Sequence, residues 1–359
     1  MKICFIGPAN SSHIIKWCNW FTKRGHEVSV ISFTDGEIDN VRVFYLDNHI
    51  DPNGSDFQKI KYLFVGKSIK KFVDIIRTDI VSVHYATSYG LAVALSGIHD
   101  YILSVWGSDI YSFPRKSLLH KLLLKYSLAK STHLFSTSNA MANEAKKYTK
   151  KEFEITPFGV DMSLFNPNKR KRNDSNIVIG TVKTLAELYG IKYFLEAIRI
   201  VRNEYPNFCV SVRISGDGPD YKSLVELSKK LKIDDITTFL GHISQEQASE
   251  EWANMDIAVI PSISYESFGV AAVEAEASGT AIIISDVEGL KETTLPGRSS
   301  IVVPTKDAEA IAKAIISLID DRELRLKMGE EGVKYVRGKY EIDDCFLNVE
   351  SLFNQYINR

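Results

Sequence analysis

The chain has 359 residues, 45% hydrophobic and 25% charged, which supplies apolar material for two ordinary cores and excludes a disordered or collagen-like chain. The net charge is only −1, and no apolar run reaches the length of a membrane-spanning helix. Cys4, Cys18, Cys209 and Cys345 have neither zinc-site nor CxxC spacing, so they read as small buried groups in a reducing compartment.

The first half alternates short apolar runs with amphipathic stretches. Strands are predicted over 2–6, 27–32, 42–46, 80–84, 101–105 and 133–137, and helices over 12–24, 57–77, 87–97, 117–130 and 139–148. This alternation predicts a parallel sheet covered on both faces. Basic residues are in excess over 1–165 and acidic ones over 166–359. Two readings of that asymmetry stay open: a basic half that faces an anionic membrane or acceptor, or charges spread over solvated faces.

Residues 166–176 are polar and lack apolar periodicity, so they read as a surface linker. The alternation then starts again, with strands over 177–182, 209–215, 237–240, 257–261, 281–285 and 301–303. Ile191, Phe194, Leu195, Ile198 and Val201 form the stripe of a helix packed on a sheet, as do Ile311, Ala312, Ile315, Ile316 and Ile319. A last helix is predicted over 343–358. The expected fold is α/β, with two doubly wound parallel-sheet domains and a cleft between them.

The most specific motif is Glu266-Ser267-Phe268-Gly269-Val270-Ala271-Ala272-Val273-Glu274, which follows a strand and a short polar loop. Gly269 allows close backbone approach, and a helix starting near Phe268 presents free amides and a positive dipole end to a diphosphate. Glu274 lies about 8 Å further along such a helix, within reach of a ribose, and Glu266 precedes the helix where a sugar would lie. The plainer alternative is a pair of surface carboxylates flanking an alanine-rich helix.

This stretch resembles the E-x7-E motif of retaining glycosyltransferases of family 4, which have the GT-B fold. Phe158-Gly159-Val160-Asp161 with Phe165-Asn166-Pro167, Ser215-Gly216-Asp217-Gly218-Pro219, Leu240-Gly241-His242-Ile243-Ser244 and Asp286-Val287-Glu288-Gly289-Leu290-Lys291-Glu292 resemble further family segments. The resemblance implies a Rossmann-like acceptor-binding domain over 1–165, the linker, a nucleotide-sugar-binding domain over 177–340, and a helix in 341–359 returning to the first domain. It implies that Glu266 contacts the donor sugar, that the backbone of Phe268, Gly269 and Val270 holds the phosphates with Ser267 also at the donor, and that Glu274 binds the ribose. Gly241, His242 and Ile243 would line the base pocket, while Gly216 and Gly7 would lie near the donor. The donor would be a UDP- or GDP-linked sugar, with no other cofactor and no metal.

Two positions depart from the family pattern. Lys183 stands at the usual Arg, but Leu188 occupies the usual Lys before Tyr189-Gly190. Lys183 then acts alone, Lys192 or another base compensates for the leaving group's charge, or turnover is weak. Trp106 in Trp106-Gly107-Ser108-Asp109 stands where the family has a histidine near the sugar. An indole stacks on a sugar face or packs at the strand end, but does not titrate. Trp106 and Asp109, with His13 and His84 after parallel strands, are candidates for the acceptor or sugar.

The stretches 59–77 and 115–126 are basic and amphipathic, suited either to an anionic membrane or to packing on the sheet with lysines in water. The expected activity is hexosyl or N-acetylhexosaminyl transfer to a glycan or lipid-linked acceptor in surface-polysaccharide synthesis. The expected location is cytoplasmic, with peripheral attachment to the inner membrane face and no nucleic-acid partner. A nucleotide-sugar epimerase or phosphorylase of the same fold and a catalytically weak sugar-nucleotide-binding subunit are the alternatives.

Overall fold

A computed structural model of the chain describes residues 1–46, 61, 64–171, 176–206 and 210–358. They divide into two compact units, one formed by 1–157 with 346–359 and the other by 158–345.

The first unit holds β1 (Lys2–Ile6), β2 (Glu27–Ser32), β3 (Arg42–Tyr45), β4 (Ile80–His84), β5 (Ile102–Val105), β6 (His133–Ser136) and β7 (Glu154–Ile155). They form one parallel sheet in the order β3-β2-β1-β4-β5-β6-β7. Ile3, Cys4, Phe5 and Ile6 of β1 are all fully buried. A strand covered on both faces demands such an unbroken apolar run. The helices are α1 (Ser12–Lys23), α2 (Gly66–Ile76), α3 (Ser88–Ala94), α4 (Ser108–Tyr111), α5 (Leu118–Lys130) and α6 (Asn139–Ala145). Phe346, Val349 and Phe353 complete this core, with Phe346 5.3 Å from Trp17 and Phe353 5.5 Å from Phe21, ring centre to ring centre.

The second unit holds β8 (Ile177–Val182), α7 (Ile191–Glu204), β9 (Val210–Ser215), α8 (Tyr221–Lys230), β10 (Thr237–Gly241), α9 (Gln245–Asn254), β11 (Ile257–Ile260), α10 (Val270–Ala277), β12 (Ala281–Ser285), α11 (Glu288–Thr293), β13 (Ser300–Val303), α12 (Ala308–Asp320) and α13 (Arg322–Lys339). A final helix, α14 (Ile342–Ile357), begins in this unit and ends in the first. The sheet order is β10-β9-β8-β11-β12-β13, again all parallel. The predicted α7 and α12 stripes, Phe194, Leu195, Ile198 and Val201 with Ile311, Ala312 and Ile315, share one buried cluster with the β-branched residues of β8 and β11.

Several boundaries differ from the sequence reading. The helix expected over 57–77 is described only from Gly66, since 57–60 and 62–63 lie outside the described residues. Residue 209 of the expected 209–215 strand, Cys209, lies outside them as well. The helix expected over 87–97 ends at Ala94, where Ser96 turns its hydroxyl back onto the Val93 carbonyl and Gly97 takes φ +83°.

The segment read as a solvated linker is fastened down where it is described. Lys169 Nζ donates to Ser249 Oγ (2.7 Å), Arg170 pairs with Asp256 (2.8 Å) and Lys171 with Glu250 (2.8 Å). Residues 172–175 of that segment lie outside the described set.

Cys4, Cys18 and Cys345 are free and buried, and burial pushes the Cys4 and Cys345 thiols up to about 12. No helix among the described residues is long and apolar enough to cross a membrane.

Candidate functional site

In the second sheet the chain builds β8, β9 and β10 outward, then crosses back to place β11 on the other side of β8. The carboxyl ends of β8 and β11 therefore flank the topological switch point, where open parallel sheets bind ligands. The loops after these two strands carry Lys183 and Glu266. Lys183 Nζ lies 2.7 Å from Glu266 Oε1, and both side chains are largely buried. Ser262 Oγ donates to the same carboxylate oxygen at 2.7 Å, and the Lys183 ammonium sits 4.3 Å from the Tyr189 ring centre.

Close backbone packing holds these loops. The Ile263 amide donates to the Leu188 carbonyl (2.9 Å), so Leu188 joins the two loops through its main chain. A Cβ on Gly190 would stand 2.1 Å from the Pro261 carbonyl oxygen, and one on Gly289 2.0 Å from the Glu266 carbonyl oxygen. Gly216, with φ +132°, leaves room for the Lys183 carbonyl, which would lie 1.9 Å from an added Cβ. Gly216 is thus packed against the backbone of Lys183. Lys192, considered as a substitute cation, is an exposed α7 residue 3.9 Å from Glu196.

The helix starts at Val270 rather than Phe268, because Gly269 caps it in the left-handed conformation (φ 71°, ψ 46°). Among the described residues no acceptor is bonded to the amides of Gly269, Val270 or Ala271. Such orphan donors at the positive end of a helix suit an anion. The Phe268 side chain is a core anchor, edge-on to Tyr340 (5.3 Å) and Phe158 (6.0 Å). Ser267 is half-buried in the same loop.

Glu274 is buried on α10 and accepts a hydrogen bond from Trp252 Nε1 (3.4 Å). Gly241 ends β10 with φ +69° and open space around its Cα, and its carbonyl accepts from the Gly216 amide (2.7 Å). His242 is exposed and Ile243 half-buried beside it. The next residue, Ser244, is occupied as the cap of α9, in a capping box with Gln247.

The first sheet has the same switch point, between β1 and β4. Gly7 follows β1, where an added Cβ would stand 3.0 Å from Ile14 Cδ1 and 3.3 Å from His84 Cβ. Trp106 is half-buried, with the edges of His13 (5.6 Å) and His84 (5.4 Å) against its ring. Burial, aided by Lys16, lowers His13 to about 4, and burial lowers His84 to about 3. Both imidazoles are therefore neutral at pH 7.

Two acceptor candidates turn inward instead. His84 is fully buried among Phe5, Trp17 and Trp106, with Nε2 3.3 Å from Ser82 Oγ. Asp109 is also fully buried, and accepts from the amides of Gly107 (2.7 Å), Ala86 (2.9 Å) and Trp106 (3.2 Å). Burial raises its carboxyl above the usual range, and those amides work against the rise. Asp109 holds together the loop that carries Trp106.

Two residues escaped the sequence reading. Tyr85, in the left-handed region at φ +82°, places its hydroxyl against Ser108 Oγ. Only the strand end at His84 hinted at a strained residue there. Glu276 on α10 is fully buried, takes a hydrogen bond from Ser299 Oγ, and is raised by burial to about 8. It follows Glu274 by two residues, so the helical repeat turns it to a different face. Among the described residues no cluster of His, Cys, Asp and Glu is placed to hold a metal ion.

Residues 2–138 match the family model described as Glycosyl transferase 4-like, and residues 163–335 the one described as Glycosyl transferases group 1. The chain is a glycosyltransferase of the GT-B type. It is 24% identical over 335 residues to an uncharacterized glycosyltransferase of Methanocaldococcus jannaschii, covering 92% of this chain and 89% of that one. It is 31% identical over 191 residues to a D-inositol 3-phosphate glycosyltransferase of Corynebacterium urealyticum, covering 49% of this chain and 45% of that one. The chain thus spans about half the length of the D-inositol 3-phosphate glycosyltransferases it matches.

Among solved structures, sucrose-phosphate synthase from Thermosynechococcus elongatus superposes with a TM-score of 0.84 at 18% identity, over 100% of both chains. Anabaena HepE, determined in complex with UDP and glucose, superposes with a TM-score of 0.80 at 15% identity, over 99% of this chain and 100% of that one. At these identities the likeness establishes the fold.

Proposed function

We propose that this glycosyltransferase moves a hexosyl or N-acetylhexosaminyl group from a UDP- or GDP-linked donor to a hydroxyl of a glycan or lipid-linked acceptor, retaining the anomeric configuration and using no metal. The observation that carries the reading is the Lys183–Glu266 contact of 2.7 Å at the switch point, next to unbonded amides at the start of α10. The diphosphate rests on those amides, and Lys183 offsets the charge that grows as the bond from the sugar's C1 to the phosphate oxygen breaks.

Glu266 holds the sugar hydroxyls. Glu274 holds the ribose, and Gly241, His242 and Ile243 flank the base. The acceptor oxygen attacks the same face of C1, and the departing diphosphate takes its proton. The complex of the structurally similar HepE with UDP and glucose supports a nucleotide-sugar donor. We place the reaction in surface-polysaccharide assembly, on the cytoplasmic side, with the protein peripheral to the membrane.

A panel of nucleotide sugars, screened by thermal shift, tests the donor class. The right donor at about 100 times its Kd adds about 2.7 kcal/mol of stability. If no UDP- or GDP-sugar raises the melting temperature, or if Glu266→Ala binds the donor as well as the wild type does, the assignment fails. Turnover of donor without acceptor into an epimer would move the activity to the epimerase reading.

A further inference from the structure

The ammonium of Lys183 is held on two sides. Glu266 Oε1 lies 2.7 Å away and the centre of the Tyr189 ring 4.3 Å away. Lysine carries its charge on a flexible four-carbon stem, so an unheld ammonium samples many positions. Here the Lys183 side chain is only 13% exposed. The neighbouring Leu188 brings no charge, and engages its carbonyl with the Ile263 amide (2.9 Å).

Tyr189 contributes its ring rather than its hydroxyl, which makes no hydrogen bond among the described residues. Burial raises the phenol above its usual range, so the side chain is a neutral ring at pH 7. The attraction is then that of a cation for the negative face of an aromatic ring, and it strengthens where water is excluded.

The backbone presents this ring rigidly. Glu187–Tyr189 form a single 3-10 turn, with the Tyr189 amide donating to the Ala186 carbonyl (2.9 Å) and the Gly190 amide to that of Glu187 (3.0 Å). Gly190 takes φ +65° to open α7, and packs so closely that a Cβ would stand 2.1 Å from the Pro261 carbonyl oxygen. Upstream, the Leu185 amide donates to the Asp217 carbonyl and its carbonyl accepts from the Asp220 amide (2.9 Å each). The chain between Lys183 and Tyr189 is thus pinned at Leu185, Leu188 and Gly190, and the ring folds back against the lysine.

We propose that Tyr189 is a positioning residue for the transfer: its ring face holds the Lys183 ammonium where charge grows on the leaving diphosphate. The role rests on the donor reading given above, in which Lys183 meets that group. A cation already in place needs no reorganisation as the bond breaks, so losing the ring lowers kcat more than it raises KM.

The test changes the ring stepwise in the full chain. Release of UDP or GDP from a panel of UDP- and GDP-hexoses, with water as acceptor, gives kcat and KM. Tyr189→Leu is expected to lower kcat about tenfold and to move KM less than about twofold. Tyr189→Phe keeps the ring face and restores the rate to within about twofold of the wild type. Phenylalanines with one, two and three ring fluorines are then installed at 189. Fluorine withdraws electrons from the ring face and changes its shape little, so kcat falls stepwise, about fivefold at three fluorines. In the Lys183→Ala background the fluorines change nothing. A Tyr189→Leu variant with wild-type kcat, a flat fluorine series, or a series that persists without Lys183 overturns the proposal and leaves the ring a packing role. If Tyr189→Leu does not fold, the fluorinated rings still decide. A wild type that releases nucleotide from no donor defeats the donor reading as a whole, whereas an active wild type with a flat series defeats the role of Tyr189 alone.

Discussion

Gly216 and Lys183 are in backbone contact: a methyl group on Gly216 would stand 1.9 Å from the Lys183 carbonyl oxygen, and the Lys183 amide is tied to Ser215 at 2.9 Å. The φ of +132° at Gly216 is itself unfavourable for any residue with a Cβ. Gly216→Ala is therefore expected to push Lys183 off Glu266 and to strain the turn by about 1–3 kcal/mol. Transfer rate should fall about tenfold or more for a folded protein, since a displacement near 1 Å costs that much or more. Activity assays alongside urea melts check this, and unchanged kcat would break the link between the two residues.

The Lys183–Glu266 pair should behave as a unit. Lys183→Ala leaves a buried carboxylate without its cation, at a cost of about 3–5 kcal/mol in stability. It is also expected to lower kcat about 100- to 1000-fold. Adding Glu266→Gln to Lys183→Ala should restore part of the stability and none of the rate. A double-mutant cycle on melting and turnover measures both, and additive effects would deny the coupling.

Glu276 makes stability depend on pH. An unfolded glutamate ionises near 4.5, whereas burial holds the native one to about 8. Between these values the native state keeps a proton that the unfolded state releases, so stability falls as pH rises, by up to about 1.4 kcal/mol per pH unit. Above about 8 the native group ionises as well and the slope vanishes. Glu276→Gln, which keeps an oxygen for Ser299, removes this slope and should exceed the wild type by about 2–4 kcal/mol near pH 8. Thermal melts of both proteins between pH 5 and 8.5 settle the matter, and parallel curves would refute it.

Asp109 is expected to matter for folding. Asp109→Ala leaves three amides without their charged acceptor and should cost about 3–5 kcal/mol, while Asp109→Asn, which keeps one oxygen, costs about 1–2 kcal/mol. Calorimetry of the two variants tests the ranking. An alanine variant with wild-type melting but lost acceptor binding would return Asp109 to the acceptor.

The strands were legible because a strand covered on both faces has to be an unbroken apolar run, as in 281–285. β7 was not, since two residues, Glu154 and Ile155, carry no periodicity. Glu266 and Glu274 stood out by their spacing around a strand, loop and glycine, and Lys183 by resemblance to the family segment after β8. The direct bond between Lys183 and Glu266 joins residues 83 positions apart, and local pattern says nothing of it. His84 and Asp109 looked like ligand contacts because loops after parallel strands bear them. Phe5 and Trp17 pack on His84, and the Ala86 amide bonds Asp109, each from a separate stretch of the chain. The close approach of Gly216 to the Lys183 carbonyl is likewise a constraint that only three dimensions reveal.

The return of residues 346–359 to the first unit has a consequence for biosynthesis. Phe346 and Phe353 lie against Trp17, Phe21 and Phe135, which are made more than two hundred residues earlier. As the ribosome emits the chain, the leading unit must wait with those aromatic rings uncovered while the whole second sheet is synthesised. The later-made unit is thus the first able to close, and a chaperone that shields the opening would have its greatest effect during that interval.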